Sequence, residues 1–229
     1  MGGNALILSG GYSHPFRESS PALCELIVEA GWDPLIEDDI DAAVSALSGP
    51  PDLLAVNSLR WSMTQHEKYA TDRAEYAYQL PENHMDTIEN YVASGGRLFV
   101  LHVSTICFDT QPRWHDVMGG GWTWGRSHHP PMGKIKVQLT EAGTRMSSGP
   151  EEFELIDETY HNLDPRDDCK VIATSEIEEG PQPVAWVRKF GEGRVAVDAL
   201  GHDARSINAN GHRELIAAQL EWLKGTDNA

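Results

Sequence analysis

At 229 residues the chain is the size of one large α/β domain and can bury a sizeable core. A content of 40% hydrophobic and 23% charged residues excludes a disordered or membrane-embedded chain. With 35 acidic against 18 basic residues and a formal charge of −17, it lacks the excess of Lys and Arg that phosphate binding requires, which argues against nucleic acid or an anionic membrane surface as partner and leaves a small molecule open.

The first apolar run, Ala5 to Ser9, ends in Gly10-Gly11 and reads as a buried parallel strand stopped by a glycine loop. Ser19 or Ser20 ahead of Pro21 predicts a helix start there, with Leu23, Leu26, Ile27 and Ala30 on one face and Gly31 at its end. Trp32 to Ile36 reads as a second strand, Ile40 to Leu47 as a short helix, and Leu53 to Val56 as a third strand. The stretch from Asn57 to Leu80 is polar and aromatic, and a connection of that length is usually functional or an inserted helix. A helix then runs from Pro81 to about Ser94, and Arg97 to Val103 is the strongest strand. Strands interleaved with helices predict a mostly parallel central sheet with helices on both faces, in one domain spanning 1–229. The second half is β-rich: Lys134 to Leu139, Cys169 to Ser175, Val184 to Phe190 and Arg194 to Ala199 read as strands, with a hairpin at Gly191-Glu192-Gly193 and a final helix from about Gly211 to Leu223.

Ligands of parallel sheets sit beyond the carboxyl ends of the strands, which directs attention to Tyr12–Phe16, Asn57–Trp61 and His102–Asp109. His14, His102, His128, His129, His161 and His202 fall at strand ends or in irregular segments, where converging imidazoles could bind a metal or move protons. The adjacent His128 and His129 point apart in an extended chain, so at most one faces a shared site. His66, His84, His115 and His212 lie on or near helices and read as surface residues. A nucleophile elbow wants small residues two places either side of its nucleophile; around Ser104 those places hold His102 and Ile106, so a strained elbow, and a hydrolase using Ser104 or Cys107, is poorly supported. Asp157-Glu158 is an acid/base or metal-ligand candidate, although in so acidic a chain a solvated turn is the favoured reading. Trp61, Trp114, Trp122 and Trp124 are candidate sugar-stacking surfaces or loop packing. Gly119-Gly120-Gly121 lacks the Lys-Ser/Thr of a phosphate loop, so no nucleotide cofactor is expected. Three widely spaced cysteines form no disulfide framework, and no leader or membrane-length apolar run is visible, so the cytoplasm is the expected compartment.

Several motifs, in order, resemble the trehalose-utilisation (ThuA-like) family. They are Gly10-Gly-Tyr-Ser-His14, Leu98-Phe-Val-Leu-His102, Met118-Gly-Gly-Gly with His129-Pro130, Asp157-Glu158-Thr-Tyr160, and Pro183-Val-Ala-Trp186 followed by Gly191-Glu-Gly-Arg-Val195 and Leu200-Gly-His-Asp203. The resemblance runs from about Ala5 to Leu223. It implies a flavodoxin-like core similar to class I glutamine amidotransferases, here without the usual cysteine nucleophile. It also implies a homodimer, sugar metabolism beside oxidoreductases that make keto sugars, and in some members a divalent metal (Zn or Mn) held by loop histidines. The matching residues are His14, His102, His129, Glu158 and His202. Ser104-Thr105 departs from the small residues of many relatives, and Trp122-Thr-Trp124 has no counterpart in the pattern. The expectation is an enzyme that eliminates, isomerises or hydrates a keto sugar or glycoside. His102, Glu158 and His202 would act as catalytic or metal-holding groups, with His14, Trp61, Ser104, Trp124 and His129 against the sugar. A non-catalytic sugar-binding partner of a dehydrogenase is the alternative.

Overall fold

The computed structural model describes residues 3–178 and 180–225. Nine strands among these residues form one sheet: β1 (Asn4–Gly11), β2 (Asp33–Glu37), β3 (Leu53–Leu59), β4 (Arg97–Leu101), β5 (Gly133–Leu139), β6 (Glu152–Asp157), β7 (Lys170–Ser175), β8 (Gln182–Phe190) and β9 (Gly193–Asp198). The order is β2-β1-β3-β4-β9-β8-β7-β5-β6. From β2 to β9 the pairings are parallel, and from β9 to β6 they are antiparallel. The expectation of a mostly parallel sheet therefore holds for one half only. The expected Gly191-Glu192 turn joins β8 to β9 and starts the antiparallel run.

Among the described residues eight α-helices accompany the sheet: α1 (Phe16–Glu29), α2 (Ile40–Ala46), α3 (Arg73–Tyr76), α4 (Glu82–Ala93), α5 (Pro112–Met118), α6 (Glu141–Met146), α7 (Ala204–Ile207) and α8 (Asn210–Leu223). Alternate residues of the central strands belong to two cores. Leu6, Leu8, Leu54, Val56, Leu98 and Val100 pack with α2, α4 and α5. Ala5, Ile7, Leu53, Ala55, Phe99 and Leu101 pack with α1 and α8. Burial on both faces is why these strands read as unbroken apolar runs rather than as alternating ones.

Two local readings are corrected. Helix α1 begins one turn before the predicted start, at Phe16, and contains Pro21. The hydroxyls of Ser19 and Ser20 do not cap it; both are buried against the sheet, where they bond to Asn57 Nδ2 at 2.9 and 3.0 Å. His212 is not a surface residue. It is fully buried on α8, four residues before Ile216 and therefore on the helix face that packs inward. No helix among the described residues is long and apolar enough to cross a membrane.

Candidate functional site

Four imidazoles and one carboxylate meet beyond the strand ends. His14 follows β1, His102 follows β4 and His202 follows β9, all on the parallel half; Glu158 follows β6, and His129 lies in the loop ahead of β5. Two glycines allow this approach. A side chain at Gly11 (φ +113) would place its Cβ 2.2 Å from the Leu59 carbonyl oxygen, so glycine lets the loop bearing His14 lie against β3. At Gly201 (φ +106) a Cβ would stand 2.8 Å from Leu101 Cδ1, so the loop bearing His202 can lie against the end of β4.

His102 itself has a left-handed backbone, φ 47, and opens the 3-10 turn His102–Ile106. A strained bend therefore does follow β4, two residues earlier than the position tested on sequence, and it presents an imidazole. Ser104 is fully buried. Its hydroxyl accepts from the Ser58 N–H at 2.8 Å and donates to the Val56 carbonyl at 2.9 Å, which ties the turn to β3. Cys107 is likewise buried, its thiol donating to the Ser58 carbonyl at 3.0 Å, and burial pushes it up to about 12. Neither residue is among those lining the cavity described below.

The polar geometry is compact. His102 Nδ1–H donates to the Ala199 carbonyl at 2.9 Å, which leaves Nε2 as the lone-pair nitrogen of the neutral ring. That Nε2 stands 3.3 Å from His202 Nδ1 and 3.5 Å from Glu158 Oε2, while His202 Nδ1 is 3.4 Å from the same oxygen. The Tyr160 hydroxyl is 3.2 Å from His102 Nε2. Three donor atoms thus form a nearly equilateral triangle. Ligand atoms at about 2.1 Å from a tetrahedral zinc stand roughly 3.4 Å apart, so the triangle has the spacing of three ligands about one cation. His14 adds a fourth atom: its buried Nε2 has no hydrogen-bond partner among the described residues, and ligand atoms of His14, His102, Glu158 and His202 all lie within 4.8 Å of one another.

Electrostatics agree with the geometry. Burial, with His102 and His202 beside it, pushes His14 down to about 3, so its ring is neutral and can offer a lone pair. Burial works against ionisation of Glu158, yet the His102, His202 and His129 imidazoles around it prevail and hold its carboxyl well below the usual range. The hydrogen bond to Glu158 raises His202. Asp157 is fully buried and Glu158 only 8% exposed, so the solvated-turn reading of this pair is overturned. Glu158 lies within reach of three imidazoles, which explains why a carboxylate is tolerated there.

His129 Nδ1 donates to the Pro130 carbonyl at 2.9 Å and stands 3.5 Å from Glu158 Oε1. His128 packs against His161, the two rings 4.5 Å apart, yet it also lines the adjoining cavity, so both neighbours border the site where at most one was expected. Beside this cluster is a cavity of about 490 Å³ lined by Tyr12, Trp61, Tyr69, Trp122, Trp124 and His129, among others. That volume is within the range of small-molecule sites. Trp61 is enclosed by Tyr12, Tyr69 and Trp124, with ring centroids 5.6, 5.2 and 6.2 Å away, and is 2% exposed. The stretch Asn57–Leu80 builds one wall through Lys68 and Tyr69. It is fastened by the Tyr12 hydroxyl donating to Asp72 at 2.6 Å. Tyr12 lies in the Gly10–His14 motif and the strand-end stretch that the sequence singled out, whereas Lys68 and Tyr69 carried no motif and only the aromatic density of the long connection pointed to their segment.

The model of the family described as ThuA, trehalose utilisation, matches residues 4–223. The chain belongs to this family. A carbohydrate-related role is what membership supports. Among solved structures the fold is similar to that of a ThuA-like protein from Parabacteroides merdae, with a TM-score of 0.75 at 16% identity over 98% of this chain and 91% of that one. A ThuA-like protein from Bacteroides uniformis gives 0.69 at 14% identity over 98% and 92%. A β-galactosidase from Rahnella gives 0.62 at 14% identity, with this chain spanning 31% of that enzyme. No curated protein matches the chain in sequence.

Proposed function

We propose that this ThuA-family chain is an enzyme of carbohydrate metabolism that acts on a keto sugar or keto glycoside by proton abstraction next to the carbonyl. A flavodoxin-like parallel half would carry the imidazoles, and the antiparallel extension would supply Glu158. The observation that carries the reading is the donor triangle. The lone pair of His102 Nε2 faces His202 Nδ1 at 3.3 Å with a carboxylate oxygen 3.5 Å away, a set of atoms suited to a cation, or to the His202 Nδ1 proton, between them. His102, His202 and Glu158 would hold a divalent cation, with His14 Nε2 as the fourth donor. When bound, such a cation supplies a Lewis acid that polarises a carbonyl oxygen.

The remaining groups do the proton work. His129 lines the cavity, and its Nδ1–H points to Pro130 O and Glu158 Oε1, so Nε2 carries the lone pair. This is the orientation of a general base whose tautomer is fixed by a carbonyl and a carboxylate. It would take the proton from the ring carbon beside the keto group. The electron pair moves toward the carbonyl oxygen, and a leaving group one carbon further departs in elimination. The walls of Trp122, Trp124, Tyr12 and Tyr69 exclude water and fit an apolar sugar face. Ser104 and Cys107 take no part: the first has its hydroxyl tied to β3, and the second holds its proton far above neutral pH.

The test is elemental analysis of the purified full chain and of His102→Ala, with turnover of a 3-keto glycoside measured on both and on His129→Gln. The expected result is near-stoichiometric zinc or manganese lost in His102→Ala, and turnover lost in both variants with metal retained in His129→Gln. No bound cation after supplementation would remove the metal from the proposal. Saturable sugar binding without product would replace the enzyme by a binding protein.

A further inference from the structure

Behind the donor triangle is a second polar chain that the proposed chemistry does not use. Asp157, Asp198 and His212 are fully buried and Ser206 is 1% exposed. One oxygen of Asp157 accepts from the Glu158 N–H at 2.7 Å. The other accepts from the Gly201 N–H at 2.8 Å and from the Ser206 hydroxyl. Ser206 Oγ stands 3.2 Å from His212 Nδ1, which donates to the Ser206 carbonyl at 2.8 Å. His212 Nε2 faces Asp198 Oδ2 at 3.4 Å, and Asp198 Oδ1 accepts from the Leu200 N–H at 3.0 Å.

The strand order makes this unusual. β6 is four strands from β9, about 19 Å across a flat sheet at the usual interstrand spacing. Yet the carboxylate ending β6 bonds directly to the loop after β9. The antiparallel half must curl back over the strand ends, and Asp157 is where it is fastened. Both fastened amides are next to the triangle: one belongs to Glu158 itself, the other to the residue before His202. Asp203 fixes the same loop from its far side, accepting from the Arg205 and Ser206 N–H groups at 2.9 and 3.0 Å as the N-cap of α7.

We propose that Asp157 is a positioning residue that sets the distance between Glu158 and His202, with Ser206, His212 and Asp198 holding its carboxylate in place. It rests on the reading of His102, Glu158 and His202 as one cation-holding group. An isolated buried carboxylate would be destabilising; here three donors satisfy it, and two of them set the backbone on which the triangle is built. An asparagine at 157 would offer one acceptor and one NH₂, and the NH₂ would confront either the Glu158 or the Gly201 N–H. Partners behind metal ligands commonly change affinity by roughly 10–100-fold when altered.

The experiment loads the full chain with Co²⁺ and records affinity by chelator competition and the visible ligand-field spectrum. It compares wild type, Asp157→Asn, Ser206→Ala and, as a core control on α8, Ile216→Val. The expected result is a loss of affinity of about 10–100-fold in Asp157→Asn, a smaller loss in Ser206→Ala, and an altered spectrum in both, with the control unchanged even where its melting temperature falls. Wild-type affinity and spectrum in both Asp157→Asn and Ser206→Ala would overturn the proposal. If the wild type takes up no cation, the metal reading fails by itself. Positioning is then judged from the imidazole nitrogen–proton spectra of His102 and His202. Signals displaced in Asp157→Asn and Ser206→Ala but not in the control support it, and unmoved signals refute it.

Discussion

Replacing His102 by glycine should leave a more stable protein than replacing it by alanine, the reverse of the usual order in an extended or helical segment. Both variants lose the same imidazole, the same bond to the Ala199 carbonyl and the same triangle corner, so their difference isolates the backbone. At φ 47 a residue with a Cβ is destabilised by about 1–2 kcal/mol. Glycine escapes that strain, but its unfolded chain is freer, which offsets about 0.4–1 kcal/mol. The net is about 1 kcal/mol in favour of glycine, or roughly 2–4 °C in Tm for a domain of this size. Calorimetry and urea unfolding of both variants in the presence of a chelator would read it, with Ala196→Gly in the middle of β9 as a control that should go the usual way. An alanine variant as stable as the glycine variant would mean that the bend at His102 carries no strain. The case for a residue held in place against its own preference would then fall. Both variants should also lack bound cation, so the comparison separates what the residue does from what its backbone conformation costs.

Cys107, with its thiol pushed to about 12, should have roughly a thousandfold less thiolate at pH 8 than an ordinary cysteine. Peptide-level mass spectrometry after iodoacetamide should find it unlabelled while half-buried Cys24 reacts, and equal rates would reopen a cysteine nucleophile. Tyr91 is also pushed up to about 12 by burial. Its contribution is complete below the unfolded value near 10 and disappears as pH rises toward 12, a loss of about 2.7 kcal/mol at 1.36 kcal/mol per unit. Stability measured by urea unfolding should therefore fall less steeply across that window in Tyr91→Phe, and parallel curves would contradict the assignment. Gly201→Ala combines a φ of +106 with a Cβ 2.8 Å from Leu101. It should lower stability by about 1–3 kcal/mol and weaken cation binding with it, as checked by unfolding and metal titration; an unchanged affinity would show that His202 does not depend on the close approach to β4.

The central strands and most of the long helices were legible because their signals are local: apolar runs bounded by glycine, and a helical stripe from Met85 to Val92. β6 was not. Its alternation of Phe153, Leu155 and Asp157 on the buried side is a clear period of two, but the last inward place holds a carboxylate, which reads as a turn. The same substitution of polar for apolar at an inward position hid His212, although it shares a face with Ile216. In both cases the partner that satisfies the buried group is distant in sequence: Gly201 for Asp157 and Asp198 for His212. The histidines of the site were legible as strand-end residues, whereas their convergence with Glu158 depends on the antiparallel half curling back, which no spacing along the chain encodes. Ser104 was attractive for the opposite reason: a small polar residue after a strong strand resembles a nucleophile, but its hydroxyl is needed to join the turn to β3.

The charge of the chain gives the arrangement its final constraint. In a protein with a formal charge of −17, a cation site needs no general attraction, because the whole surface provides one. It needs selectivity between one carboxylate and many. Exposed acids screen one another through water and hold ions weakly. Glu158 differs in being 8% exposed and surrounded by imidazoles, one of which, His14, burial keeps neutral. The parallel half supplies the imidazoles and the antiparallel half the carboxylate, so the group is complete only when both halves are folded together. A positive centre, whether a proton shared with His202 or the proposed metal ion, would then be bound by the folded state alone. The site is therefore expected to stabilise the protein in proportion to its occupancy and to be lost, together with that stability, when the fastening at Asp157 is released.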